Sequence, residues 1–133
     1  MRTNIAKKTY ILDADGQILG RLATRIADLL RGKGRTDFVP NADMGDIVVA
    51  INSSKVKLSG DKENKKVYYH HTRYPGGIRM ITYKELMAKD SREVIKKAVF
   101  RMLPKNKLQN IFIKKLKIFK DDGYQVKEGD IKL

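Results

Sequence analysis

The sequence predicts an α/β layered domain, on three observations. Strand-like and helix-like segments alternate in the order strand, helix, strand, strand, helices, strand, the pattern of helices laid on a sheet. "DIVVAIN", residues 46–52, has a continuous apolar run, as expected of a strand covered on both faces in a parallel sheet. Leu19, Leu22, Ala23, Ile26, Ala27 and Leu30 recur at three- and four-residue spacing, which marks one face of a helix.

The elements follow in chain order. "KKTYILDADG" reads as a short strand centred on Tyr10, Ile11 and Leu12 and stopped by Asp15-Gly16. "QILGRLATRIADLLRGKG" reads as a helix that Gly32 and Gly34 end. Gly20 near its start lowers helix propensity, which points to close backbone packing or a ligand there. "RGKGRTDFVPNADMGD" is a loop, and "DIVVAIN" is the second strand. Asn52 or Ser53 caps a short helical turn through Val56, and Gly60-Asp61 marks a turn in a polar segment. "KVYYHH" is the third strand candidate. After the turn at Pro75, Thr82 and Glu85 form a capping box for a helix to about Lys89. Asp90 or Ser91 with Glu93 starts the next helix, with Val94, Ile95, Ala98, Val99, Met102 and Leu103 on one face and Pro104 ending it. Lys105 to Lys115 reads as a basic amphipathic helix with Leu108, Ile111 and Phe112 facing inward. Leu116 to Phe119 reads as the last strand.

A chain of 133 residues favours one domain. The expected layout is a single domain over 1–133, with a short N-terminal extension (about 1–7) and a polar C-terminal tail (about 121–133). Hydrophobic residues reach 41%, enough for a core, but Trp is absent and aromatics are 8%, so aliphatic side chains must fill it. Lys and Arg number 29 against 15 Asp and Glu, a net charge of +14. That excess does not choose a fold; it favours polyanions, through counterion release from phosphates. No apolar run is long enough to span a bilayer, so no membrane partner is expected. The absence of Cys excludes disulfides, thiolate catalysis and Cys-based zinc sites, and fits a reducing compartment. "MRTNIAKKTY" lacks the apolar stretch of a signal peptide.

The candidate sites are basic. Arg31, Lys33 and Arg35 cluster in one loop. His70 and His71 are the only histidines, and adjacent strand residues point to opposite faces, so they do not chelate one metal together. Acid–base catalysis by either lacks a matched nucleophile nearby. Packing at a strand end, or stacking on nucleic acid, are the other readings. In Tyr74-Pro75-Gly76-Gly77, Pro75 fits the second turn position and Gly76 the positive φ of a type II turn. Arg73 and Arg79 flank it, so the loop is either a plain tight turn or an approach to phosphate. From Arg92 to Lys120 there are ten basic residues and one acid, Glu93. This run also has an apolar face, so it docks on a fold and presents a nucleic-acid surface. No phosphate-binding glycine fingerprint is present. Asp43 and Asp46 read as turn residues before a strand. Neither a cofactor, a metal nor a small-molecule substrate is expected.

Taken in order, "LGRLATRIADLLRGK", "PNADMGDIVVAIN", "KVYYHHTRYPGGIR" and "MLPKNKLQNIFIKKLKIF" resemble ribosomal protein number thirteen of the large subunit, in its bacterial form. The likeness spans about Tyr10 to Phe119. It implies a three-layer α/β/α domain with a four-stranded, mainly parallel sheet and basic C-terminal helices. It implies a non-catalytic role in the cytoplasmic ribosome: binding large-subunit (23S) ribosomal RNA beside neighbouring ribosomal proteins, and supporting early assembly. It also implies a side activity, repression through the protein's own mRNA. The family's His-rich, Gln-Gln-Pro-containing tail is missing after Lys120. The residues expected at RNA are Arg31, Lys33 and Arg35; His70, His71, Arg73, Tyr74, Gly76, Gly77 and Arg79; and Lys105, Asn106, Lys107, Lys114, Lys115 and Lys117. Two other classes are a free-standing RNA-binding regulator and a hydrolase using His70 or His71. Turnover lost on His→Ala would mark the hydrolase.

Overall fold

Four strands form one sheet in the order β5-β2-β1-β6, and every pairing is parallel. The computed structural model describes residues 7–133, so the expected N-terminal extension lies almost entirely outside the described residues. β1 (Thr9–Asp13) pairs with β2 (Ile47–Ile51) from Thr9↔Ile47 to Asp13↔Ile51. β5 (Leu116–Ile118) flanks β2, and β6 (Ile131–Lys132) flanks β1. Helices flank this sheet in a three-layer α/β/α arrangement.

Parallel neighbours cannot be joined by a tight turn, so β1 and β2 require a crossover. α1 (Leu19–Arg31) supplies it. All six residues of its apolar stripe are buried. Each large one among them is worth about 2–5 kcal/mol against Ala. The helix ends at Gly32, whose φ of 78° lies in the left-handed region that glycine tolerates. A Cβ there would also stand 2.6 Å from the Met44 carbonyl oxygen. A Cβ on Gly45 would overlap the Leu30 carbonyl, so the loop rests backbone to backbone on the last turn of α1. In β2, Val48, Val49 and Ala50 are fully buried, as its uninterrupted apolar run requires.

The third expected strand is displaced. β3 (Val67–His71) does not join the parallel sheet; it pairs antiparallel with β4 (Ile78–Thr82) in a separate hairpin. β4 was not anticipated. The fourth parallel strand comes instead from the segment expected to be a polar tail. Tyr10 faces Ile131, and the Leu133 N–H donates to the Ile11 carbonyl at 3.0 Å. The turn before it is held by Asp130, which accepts from the Tyr124 hydroxyl at 2.9 Å and from the Lys127 N–H at 2.8 Å.

The polar segment before β3 holds a 3-10 turn, Ser53–Lys55, and a one-turn helix, α2 (Lys62–Lys65). α3 (Tyr83–Lys89) begins where the capping box predicts: the Thr82 hydroxyl accepts from the Glu85 N–H at 3.3 Å. α4 (Ser91–Met102) is capped by Asp90, and Leu103, just past its end, is buried before Pro104. Met102 is exposed, because the inward face is carried by Val94, Ile95, Val99 and Leu103. The last helix, α5 (Leu108–Lys114), is shorter than Lys105 to Lys115; Phe112 faces the core, but Ile111 is exposed. Buried Ser53 and Ser91 satisfy one another across the interior, Oγ to Oγ at 2.8 Å.

Candidate nucleic-acid interface

The β3–β4 hairpin is built unlike the rest of the protein. One residue near its base, Tyr68, is 3% exposed and anchors it against α4. Beyond Tyr68 the strands leave the core. Tyr69, Tyr74, Ile78 and Met80 are 65%, 75%, 65% and 67% exposed. Tyr69 lies opposite Met80 and His71 opposite Ile78, so the alternation of strand side chains puts these four on one face. His70 lies opposite Arg79 on the other. No acidic residue occurs from Val67 to Thr82. An exposed, acid-free hairpin with aromatic and apolar groups on one face and His70 and Arg79 on the other fits stacked bases and phosphates.

The connecting loop is fixed by its backbone. The Gly77 N–H donates to the Tyr74 carbonyl at 2.9 Å, closing a turn with Gly76 at φ 71°. That is the type II geometry the Pro-Gly pair predicts. The Thr72 N–H donates to the Gly77 carbonyl at 2.8 Å, and a Cβ on Gly77 would collide with the Thr72 side chain. Arg73 is held at φ 67°, where non-glycine residues are uncommon. Its N–H donates to His71 Nδ1 at 2.9 Å, so His71 orients the loop from within. Gly76 and Gly77 therefore shape the turn, while Arg73, Tyr74 and Arg79 are exposed on it.

The C-terminal basic run divides. Lys105, Lys107, Lys114 and Lys117 are exposed, and among the described residues none is in an ion pair. Asn106 has local work: its side-chain oxygen accepts from the Leu108 N–H at 3.0 Å and starts α5. Lys115 departs from the expectation. Its side chain is 10% exposed, and its Nζ donates to the Leu30 carbonyl at 3.0 Å and to Asp43. It braces α5 against the end of α1 and is not a free cation. Burial pushes the Lys115 amine down despite Asp43. Burial also pushes the Asp43 carboxyl up, but hydrogen bonds from Lys115 and Lys7 more than reverse this, leaving it below the usual carboxylate range.

The loop after α1 divides likewise. Lys33 is exposed. Arg35 bonds Asp37 at 3.1 Å and buried Asp46 at 3.3 Å, so its charge is largely answered inside the protein. Arg31 lies over the Phe38 ring, 5.8 Å from its centre. Asp43 and Asp46 are ion-pair anchors as well as loop residues. Among the described residues no group of His, Asp and Glu is arranged to hold a metal, and no helix is long and apolar enough to cross a membrane.

Sequence reasoning missed Tyr69, Ile78 and Met80. A signal was present: "IRM" at the start of "IRMIT" alternates apolar, polar, apolar directly after the Pro-Gly turn, and a hairpin would have put Met80 beside Tyr69.

Comparison with known proteins adds the family. A family model described as ribosomal protein L13 matches residues 7–125. The large ribosomal subunit protein uL13 of Geobacter sp. (strain M21) is 48% identical over 125 residues, covering 90% of this chain and 88% of that protein. Its counterpart from Caldicellulosiruptor bescii is 48% identical over 120 residues, covering 90% and 84%. The one from Chloroflexus aurantiacus is 45% identical over 117 residues, covering 88% and 81%.

Proposed function

Because this chain belongs to the ribosomal protein L13 family of the large ribosomal subunit, we propose that it binds large-subunit ribosomal RNA and supports subunit assembly. The family consists of structural ribosomal proteins and not enzymes. The place of action is then the ribosome in the cytoplasm, among neighbouring large-subunit proteins. The whole of residues 1–133 acts as one RNA-binding domain in this reading.

One observation carries the proposal: the acid-free hairpin, whose Tyr69, Tyr74, Ile78 and Met80 stand exposed beside His70, Arg73 and Arg79. Other large apolar side chains, Met102 and Ile111 among them, are also exposed, but these four are the most exposed of all and cluster on one hairpin, as a surface for an external partner would. Its aromatic and cationic content suits RNA, where bases stack on rings and arginines meet phosphates. Lys105, Lys107, Lys114 and Lys117 extend the contact, and Lys33 and Arg31 add to it. Lys115 and Arg35 are left out of the contact set, since both are engaged within the protein. The names of the relatives lend nothing to a free-standing regulator or to repression of the protein's own mRNA.

The test is incorporation. Replacing Lys107, Lys114 and Lys117 by Glu is expected to abolish co-sedimentation with large subunits in high salt while circular dichroism stays that of the native protein. With about six phosphate contacts, affinity for the RNA should fall by orders of magnitude between low and moderate salt. Normal incorporation of the triple variant would remove the lysines from the interface.

A further inference from the structure

A cavity of about 560 Å³ opens beside the first turn of α1. Four cations line it: Arg21 on α1, Lys62 and Lys66 at the two ends of α2, and Arg101 on α4. Its apolar wall is formed by Leu58, Tyr68, Ala98 and Met102. No carboxylate lines it, and among the described residues none of the four cations is in an ion pair.

This arrangement opposes itself in the free protein. Burial pushes the Lys66 amine below the ordinary lysine range, and Arg101 and Lys62 push it further. The partial compensation is the face of Tyr68, with Lys66 Nζ 5.4 Å and Arg101 Cζ 5.9 Å from the ring centre. The hydroxyl of that same buried tyrosine has no hydrogen-bond partner among the described residues. The first turn of α1 has no side-chain cap and no acidic residue; the Leu19 N–H donates to the Lys57 carbonyl at 2.8 Å, but among the described residues the Gly20 and Arg21 N–H groups have no acceptor, and with the positive dipole end they border the same space. Gly20 adds an independent sign. Glycine weakens a helix, yet among the described residues nothing lies within 4 Å of where its Cβ would stand. No packing neighbour demands it; a ligand entering the cavity would.

We infer that this cavity, which meets the hairpin only at its base, binds a phosphate group of the RNA backbone at a site separate from the hairpin's exposed tip and the C-terminal lysines. The inference rests on the RNA-binding reading above. Four cations, free amide donors and an apolar wall form a nucleotide-sized seat. A phosphate there would offset the repulsion of Lys66 by Arg101 and Lys62.

The test uses the full chain with Lys66→Met and, separately, Arg101→Met. Methionine keeps the apolar stem and removes the charge. Each variant is expected to melt at or above the native temperature, because repulsion is removed. Each should also lower the slope of log affinity for ribosomal RNA against log salt by about 1. A lowered melting temperature with an unchanged slope would make the residues purely structural and overturn the inference. Arg73→Ala with Arg79→Ala runs in parallel. If that pair weakens RNA binding and the cavity variants do not, the cavity fails and the RNA reading stands; if neither does, the RNA reading itself fails. Adenosine monophosphate provides the second arm, followed at the Gly20 amide by NMR. Weak, millimolar shifts that RNA competes away support the inference. Micromolar saturation that RNA does not displace assigns the cavity to a free nucleotide and overturns it.

Discussion

Lys115→Met separates the bracing lysine from its exposed neighbours Lys114 and Lys117. Methionine preserves the stem, so the change removes one charge and its donors. Two charge-assisted hydrogen bonds are lost, to the Leu30 carbonyl at 3.0 Å and to Asp43. Each is worth about 1.5–3 kcal/mol when well shielded. Against this, the variant no longer buries an ammonium, a cost of several kcal/mol in a dry site and less here, where 10% of the side chain stays exposed. Asp43 keeps Lys7 at 2.7 Å, a partly exposed pair worth about 0–1 kcal/mol. The balance is a loss of about 2 kcal/mol, roughly a factor of 30 in the unfolding constant. For a chain of this size that is a fall of roughly 6–10 °C in melting temperature. The assay pairs urea unfolding with RNA binding at a temperature where the variant is folded. Binding and its salt dependence should match the native protein. Lys117→Met should behave oppositely: stability within about 0.5 kcal/mol, salt slope lower by about 1. If Lys115→Met leaves the urea midpoint in place and lowers the salt slope, the brace is refuted and Lys115 returns to the RNA surface.

Two further predictions concern the loop and the acid limb. Gly76→Val has open space around its Cβ, so its cost is conformational, about 1–2 kcal/mol at φ 71°. It should lower both the melting temperature and incorporation into reconstituted subunits, whereas Arg73→Ala with Arg79→Ala should lower incorporation alone; equal melting losses with normal incorporation would make the loop a structural clasp. Asp43 titrates below the ordinary carboxylate range in the folded state, so its contribution is complete above the unfolded value of about 3.9 and disappears as pH falls through the folded one. The urea midpoint of the native protein should therefore drop below about pH 4 more steeply than that of Asp43→Asn, and parallel curves would show that the carboxylate stabilises nothing.

What could be read from the sequence was what is encoded locally. The stripe from Leu19 to Leu30 repeats with the helical period, and all six residues are buried. The unbroken apolar run of β2 announced a strand covered on both faces, and β2 is central in the sheet. The cap at Thr82 and the turn at Pro75-Gly76 depend on neighbours within three residues; the turn formed, and so did the Thr82 half of the capping box. Partnership between distant segments was not encoded this way. "VYYHH" has strand chemistry whether it joins a sheet or a hairpin, and only the unread apolar–polar–apolar start of "IRMIT" after the turn pointed to a hairpin. β6 has two residues, too few to show a period; its place comes from the free edge of β1, more than a hundred residues earlier.

The site shows the same division between charge and exposure. Net charge is a sum and needs no structure, so the preference for a polyanion was plain. Which cations are available is a question of register. Lys115 lies seven residues after Leu108 and three after Phe112, and that spacing continues the face along which α5 packs. Reading the apolar face one position further would have turned Lys115 inward, toward an acid. Asp43 and Asp46 complete the logic. Both stand in the loop on the last turn of α1, and there they engage Lys7, Lys115 and Arg35. Those pairs neutralise cations where the chain packs on itself. Three groups of cations stand apart from these pairs: on the hairpin, along the Lys105 to Lys117 edge, and around the cavity at the start of α1. The acids thus separate the cations that brace the fold, Lys115 and Arg35, from those left free for the proposed interface.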